Sequence, residues 1–211
     1  MKQWLFEQNL TGISKAFALA LLSGFIATVT VSCSNDKDVL VTEIGVSPVA
    51  SPAANPSTAK HYYAQGQYKL IQGDTQGAIA AYTKAIAIDN NYVQAYNGRG
   101  LVQFDTGDRQ GAIADYNEAL RISPDNAQAY NNRGNARAAQ GDREGAVSDY
   151  DEAIRLNPNF GAAYNNRGNA RVELGDKDAG LADLQRAAEI FQEQNNQQLY
   201  NQVMENVKEA Q

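Results

Sequence analysis

Residues 127–160 read AQAYNNRGNARAAQGDREGAVSDYDEAIRLNPNF, and residues 93–126 read VQAYNGRGLVQFDTGDRQGAIADYNEALRISPDN; the two blocks agree at 17 of 34 positions without a gap. Self-similarity at a fixed period marks a chain made of stacked copies of one small unit. Outward from this pair, residues 59–92 and 161–194 continue the same register. Small residues recur in every copy. Gly66, Gly100, Gly134 and Gly168 are equivalent, as are Ala78, Ala112, Ala146 and Gly180, and Ala85, Ala119, Ala153 and Ala187. Beside them stand bulky Tyr82, Tyr116, Tyr150 and Leu184. Small residues on facing stripes let two antiparallel helices approach closely, and the larger side chain fills the gap that remains.

The turn inside each unit is equally legible. Gly73-Asp74, Gly107-Asp108, Gly141-Asp142 and Gly175-Asp176 place a left-handed glycine directly before an N-capping aspartate, so one helix stops and the next starts. Pro124 and Pro158 are expected to end the second helix of their units, with Asn90 and Gln192 in the equivalent places elsewhere. After the last unit, Leu199, Val203 and Val207 recur every four residues with Tyr200 and Met204 alongside, the pattern of an amphipathic helix over 195–211 that closes an exposed end.

This pattern resembles the tetratricopeptide repeat (TPR) in unit length and in its small/large signature. The resemblance implies an all-α, right-handed α-solenoid of four helix-turn-helix repeats (59–92, 93–126, 127–160 and 161–194) plus a C-terminal capping helix. The fourth copy departs from the signature at Gly180 and Leu184. In that family the first helix of each repeat lines a concave groove. Carried onto this chain, the groove positions include Tyr63, Gln67, Leu70 and Ile71; Gln94, Asn97, Leu101, Phe104 and Asp105; Gln128, Asn131, Asn132, Asn135, Ala138 and Ala139; and Asn165, Asn166, Asn169, Val172 and Glu173. One end is amide-rich and the other apolar and aromatic. An amide group offers a donor and an acceptor on one plane and can grip a peptide bond at both its ends. Asn97, Gln128, Asn131, Asn132, Asn135, Asn165, Asn166 and Asn169 are therefore the peptide-binding candidates, although asparagine also serves in such repeats as a filler inherited between copies. The basic clamp with which some members hold a C-terminal carboxylate needs Lys or Arg in the groove, where this chain has Asn, Gln or apolar residues.

Arg99, Arg133 and Arg167 resemble an anion site, but each has an aspartate sixteen residues later: Asp115, Asp149 and Asp183. The first repeat lacks both partners, with Gln65 and Ala81 in their places. Joint presence and joint absence point to an Arg–carboxylate brace between the two helices of a repeat.

The 20% charged and 43% apolar composition is that of a folded protein. A formal charge of −6 without a basic stripe argues against nucleic acid as a partner, because phosphate neutralisation supplies most of that affinity. No catalytic set is visible, and neither a metal site nor a cofactor site is expected: His61 is the sole histidine and Cys33 the sole cysteine. Glu118, Glu144, Asp151 and Glu152 sit on helix faces expected to be solvated.

The N-terminus reads as an address. From Ala16 to Ser32 runs AFALALLSGFIATVTVS, 17 residues without a charge, preceded by Lys2 and Lys15. A positive start, an apolar stretch and small residues before a break form an export signal. The stretch is shorter than the roughly 20 residues of a spanning helix, which favours export over a retained anchor. Thr30-Val31-Ser32-Cys33 resembles the lipobox of bacterial lipoproteins, whose cysteine is acylated after cleavage just before it; Thr30 stands where leucine is usual. The competing reading is an incidental cysteine behind an ordinary cleavable signal. Cleavage before Cys33 removes Lys2, Lys15 and Glu7, so the remainder is one unit more negative than the whole. Residues 33–58, with Pro48, Pro52 and Pro56 among Ser, Ala and Asn, then form a tether with a reach of about 25–30 Å.

Together these features lead to the expectation of an exported, membrane-anchored lipoprotein facing the periplasm, attached to the inner or outer membrane through Cys33. It holds a protein or peptide partner as a scaffold, in the manner of bacterial repeat lipoproteins that support envelope or membrane-complex assembly. A self-associating structural lipoprotein without a peptide ligand, a homo-oligomer, is the alternative.

Overall fold

In a computed structural model, the structure describes residues 58–211. The segments expected to be an export signal (1–32) and, with Cys33, a tether lie, up to residue 57, outside the described residues. The described part is helical throughout: α1 (Ala59–Ile71), α2 (Thr75–Ile88), α3 (Val93–Asp105), α4 (Arg109–Ile122), α5 (Ala127–Gln140), α6 (Arg143–Leu156), α7 (Gly161–Glu173), α8 (Lys177–Glu193) and α9 (Gln197–Ala210). No helix among the described residues is long and apolar enough to cross a membrane.

The turn chemistry forms these pairs. Gly73, Gly107, Gly141 and Gly175 adopt φ between 76° and 93°, where a side chain is disfavoured. The next residue caps the following helix, with Asp74, Asp108 and Asp142 accepting from the backbone N–H groups of Gly77, Gly111 and Gly145 at 2.8–3.0 Å. Asp176 makes the same bond to Ala179 at 3.4 Å. At Gly141 the chain closes with its own N–H donating to Ala138 and that of Asp142 to Arg137.

Within each pair the small stripes decide the spacing. Ala78, Ala85, Ala112, Ala119, Ala146 and Ala153 are fully buried, and Tyr82, Tyr116, Tyr150 and Leu184 lie on them with 0–2% exposure. The rings reach so close to the first helix that a Cβ on Gly134 would meet the Tyr150 ring at 2.6 Å, and one on Gly66 would meet the Tyr82 ring at 2.5 Å.

Each second helix also packs on the next first helix, so the pairs stack into a solenoid. Successive first helices approach one another within 8 Å, whereas α2, α4, α6 and α8 never approach each other so closely. That asymmetry bends the stack and puts the first helices on its concave side.

Proline follows the second helix at two of the joints between repeats, while α2 ends at Ile88 ahead of Asn90 in the same register. α4 and α6 end at Ile122 and Leu156, two residues before Pro124 and Pro158. Gln192 does not end its helix: α8 runs through it to Glu193, and Asn195 then takes the left-handed turn (φ 54°) ahead of the capping Asn196. Nothing in glutamine prevents the helix from continuing, while a proline ring clashes with the preceding turn. The following α9 lays Val203, Val207 and Ala210 on Leu184, Ala188 and Phe191 and keeps Gln198, Asn201, Glu205 and Lys208 in water.

Candidate binding groove

The arginines do not face a ligand. Arg99 donates from Nε and Nη2 to the two carboxylate oxygens of Asp115 at 2.8 and 2.7 Å, and Arg167 does the same to Asp183 at 2.8 and 2.6 Å. Arg133 binds Asp149 at 3.0 and 2.6 Å. These aspartates are buried, at 2–5% exposure, so two-pronged pairing is what makes their charge tolerable inside the repeat. The expected brace is present in all three repeats that carry the residues.

Two features of the brace were not apparent in the sequence. The remaining guanidinium nitrogen reaches backwards to the preceding repeat: Arg99 Nη1 donates to Thr83, Arg133 Nη1 to Asn117 and Arg167 Nη1 to Asp151, at 2.6–3.0 Å. The same arginines lie over Tyr96, Tyr130 and Tyr164 at 5.4–5.9 Å from the ring centroids. Arg137 and Arg171 add a second cation to Asp149 and Asp183 at 3.0 and 2.8 Å. The signal was available, since the residues at 83, 117 and 151 are all polar, but only the stacking geometry brings them to the arginine.

The amide-rich end divides into two groups. Asn166 donates from Nδ2 to both Asn131 and Asn135, at 3.1 and 2.9 Å, and accepts from Asn165 at 3.2 Å. Asn206 on α9 donates to Asn165 at 2.9 Å, and the Tyr150 hydroxyl donates to Asn135 at 2.8 Å. Four side-chain bonds thus tie α5, α6, α7 and α9 together through asparagines, with a fifth inside α7. Asn131 is 4% exposed, buried by that contact. Asn131, Asn135, Asn165 and Asn166 accordingly spend hydrogen-bonding capacity within the protein. Gln128 is exposed and donates to Asn132 at 2.8 Å within α5, and Asn169 makes no side-chain bond among the described residues. Asn97, the equivalent of Asn131 one repeat earlier, has a buried Oδ1 without a donor.

The apolar end follows a different logic. Tyr63 packs on Tyr82 and Tyr92 with ring centroids 5.6 and 5.5 Å apart, and burial pushes its phenol above the usual range. Leu70, Leu101 and Phe104 are partly buried, whereas Ile71 is 56% exposed. Asp105 retains contact with water, yet the protein crowding it costs hydration and raises its carboxyl above the ordinary value. His61 lies edge-on to Tyr62 with a buried Nδ1 that has no partner. No group of three or more metal-ligating side chains exists among the described residues.

A stack of paired helices with its first helices on the concave side defines the class: a helical-repeat interaction scaffold. The chain belongs to the tetratricopeptide repeat family. A TPR repeat model matches residues 59–107, 104–141 and 134–175, and a tetratricopeptide repeat model matches 161–194. Among solved structures, MamA is similar with a TM-score of 0.63 and 23% identity over 67% of this chain and 82% of that one. The first TPR of Spaghetti (RPAP3), bound to the HSP90 peptide SRMEEVD, is similar with a TM-score of 0.56 and 27% identity over 58% of this chain and 97% of that one. The TPR2B domain of yeast Sti1, in a pHsp70 complex, is similar with a TM-score of 0.54 and 25% identity over 56% and 94%. No curated protein matches the chain.

Proposed function

We propose that the protein is a non-enzymatic adapter that holds a peptide or protein partner against the concave face of its repeats. The observation that carries this reading is the set of first-helix side chains with capacity left over on that face: Gln128 and Asn132 side by side, Asn169, and the apolar groups of the first two repeats. The peptide complexes of similar repeats support it, with the spared amides in place of a basic clamp. In the test, the protein is cross-linked in native membranes and its partners recovered, comparing wild type with the triple change Ile71→Ser, Asn132→Ala and Asn169→Ala. Loss of specific partners is expected; retention of all of them by the folded variant sinks the reading.

The proposal includes a tether: acylation of Cys33 after export, holding the repeats at a membrane on its periplasmic side. Its support is the layout of residues 1–33, a positively charged start, an uncharged apolar stretch and a small residue before the cysteine. Several acyl chains, at about 0.8 kcal/mol per buried methylene, anchor a protein stably. Labelling with a fatty-acid analogue should be lost in Cys33→Ala, and persistent labelling overturns the anchor.

A further inference from the structure

The two halves of the concave face differ in what they leave unsatisfied. In the third and fourth repeats, Asn166 joins Asn131 and Asn135 and most amide capacity is spent inside the protein. In the first two, Ile71, Leu101 and Phe104 keep apolar surface in contact with solvent. Two carboxylates occupy concave positions, Asp105 and Glu173. Glu173 is paired with Arg143. Asp105 meets no cation among the described residues.

Its place on the helix matters as much as the missing partner. Asp105 is the last residue of α3, where the carbonyl ends of the helix already favour positive charge. The other first helices answer that preference with a basic residue in the last turn: Lys69 in α1, Arg137 in α5 and Arg171 in α7. α3 has none. A carboxylate and a helix C-terminus therefore act together on one side of the groove, next to exposed apolar surface.

We infer that the first two repeats select a partner segment carrying a lysine or arginine beside aliphatic residues, its cation seated on the Asp105 carboxylate and its apolar side chains on Ile71, Leu101 and Phe104. This rests on the reading that the concave face holds a peptide. Asp105 is exposed at the end of α3, so an incoming cation reaches its carboxylate without displacing a protein partner. An acidic segment meets like charge at the same place, which gives discrimination more than raw affinity. The apolar neighbours supply the attraction and the carboxylate supplies the choice.

The experiment presents the full chain, in detergent, with an array of short random-sequence peptides, using wild type, Asp105→Asn and Asp105→Lys. Retained peptides should be enriched in Lys or Arg flanked by aliphatic residues. Copies with glutamate in place of the basic residue should bind about tenfold more weakly to wild type, equally to Asp105→Asn, and more tightly to Asp105→Lys. The helical far-ultraviolet signal and thermal midpoint of each variant establish that it is folded. Retention without a basic preference, or a preference that survives Asp105→Asn, overturns the inference and leaves the groove reading intact. Retention that is unchanged by Ile71→Ser, Asn132→Ala and Asn169→Ala together overturns the groove reading itself. Failure of wild type to retain any peptide overturns the inference.

Discussion

At Asp149, 3% exposed at its side chain, both prongs of Arg133 and one nitrogen of Arg137 converge on a single carboxylate. Removing it leaves two guanidinium groups facing each other with a buried void between them. Asp149→Ala should cost about 3 kcal/mol in urea denaturation, and ligand affinity of the folded fraction should barely change. The asparagines divide by the same test of who satisfies whom. Asn166→Ala removes donors to Asn131 and Asn135 and should lose about 1–3 kcal/mol. Asn132→Ala, which breaks only a bond to Gln128 on the groove surface, should be close to neutral in stability; equal losses in the two variants contradict the division.

Asp105 behaves in the opposite sense to a paired aspartate. Its folded-state carboxyl is raised by lost hydration, so the folded protein holds that proton more tightly than the unfolded chain does. Stability from this group is present below the ordinary aspartate value of about 3.9 and is lost as pH rises through the raised value. Asp105→Asn should therefore be slightly more stable than wild type at pH 7, an effect kept small by the exposure of the group to solvent, and the gain should vanish near pH 3. Thermal midpoints at the two pH values measure it. A group that lowers stability in the free protein and serves selectivity in the complex is the usual trade at a binding site.

At the scale of elements, the helix pair is specified by its own residues. Gly141 at φ 91° and Asp142, which caps α6 through Gly145 at 3.0 Å, were readable as a Gly-Asp turn because both preferences are local. Gly141→Ala places a side chain in the left-handed region with no neighbour to blame, since nothing lies within 4 Å of its would-be Cβ. It should cost about 1–2 kcal/mol by chemical denaturation, from backbone strain alone. The end of α8 was less legible. Gln192 stands where the two preceding repeats have Pro124 and Pro158, and there the helix continues to Glu193, whereas α2 stops at Ile88 ahead of Asn90 without a proline.

For the whole molecule, stability is a sum over neighbouring units, and an end needs a cover. α9 provides one by laying Val203 and Val207 on Leu184 and Phe191. A chain ending after Gln194 should lose about 3 kcal/mol, lowering Tm by roughly 6–12 °C, and should self-associate in light scattering through the surface so exposed. If the shortened chain stays monomeric with an unchanged Tm, α9 is not a cap. The polar outer face of α9, with Gln198, Asn201, Glu205 and Lys208, closes the stack without presenting an apolar surface of its own.

The repeat, the helix pairs, their turns, the facing small and large stripes and the pairing of Arg99, Arg133 and Arg167 with their aspartates were determined by the sequence alone. Each is either local in the chain or recurs between copies, so comparing one repeat with another exposes it. The use of the asparagines was decided only by the tertiary structure. Asn97 and Asn131 hold the same place in successive repeats, yet Asn131 meets the Asn166 amide and Asn97 has a buried oxygen with no donor. A hydrogen bond depends on which group the next repeat brings within about 3 Å, and an identical side chain carries no record of that neighbour.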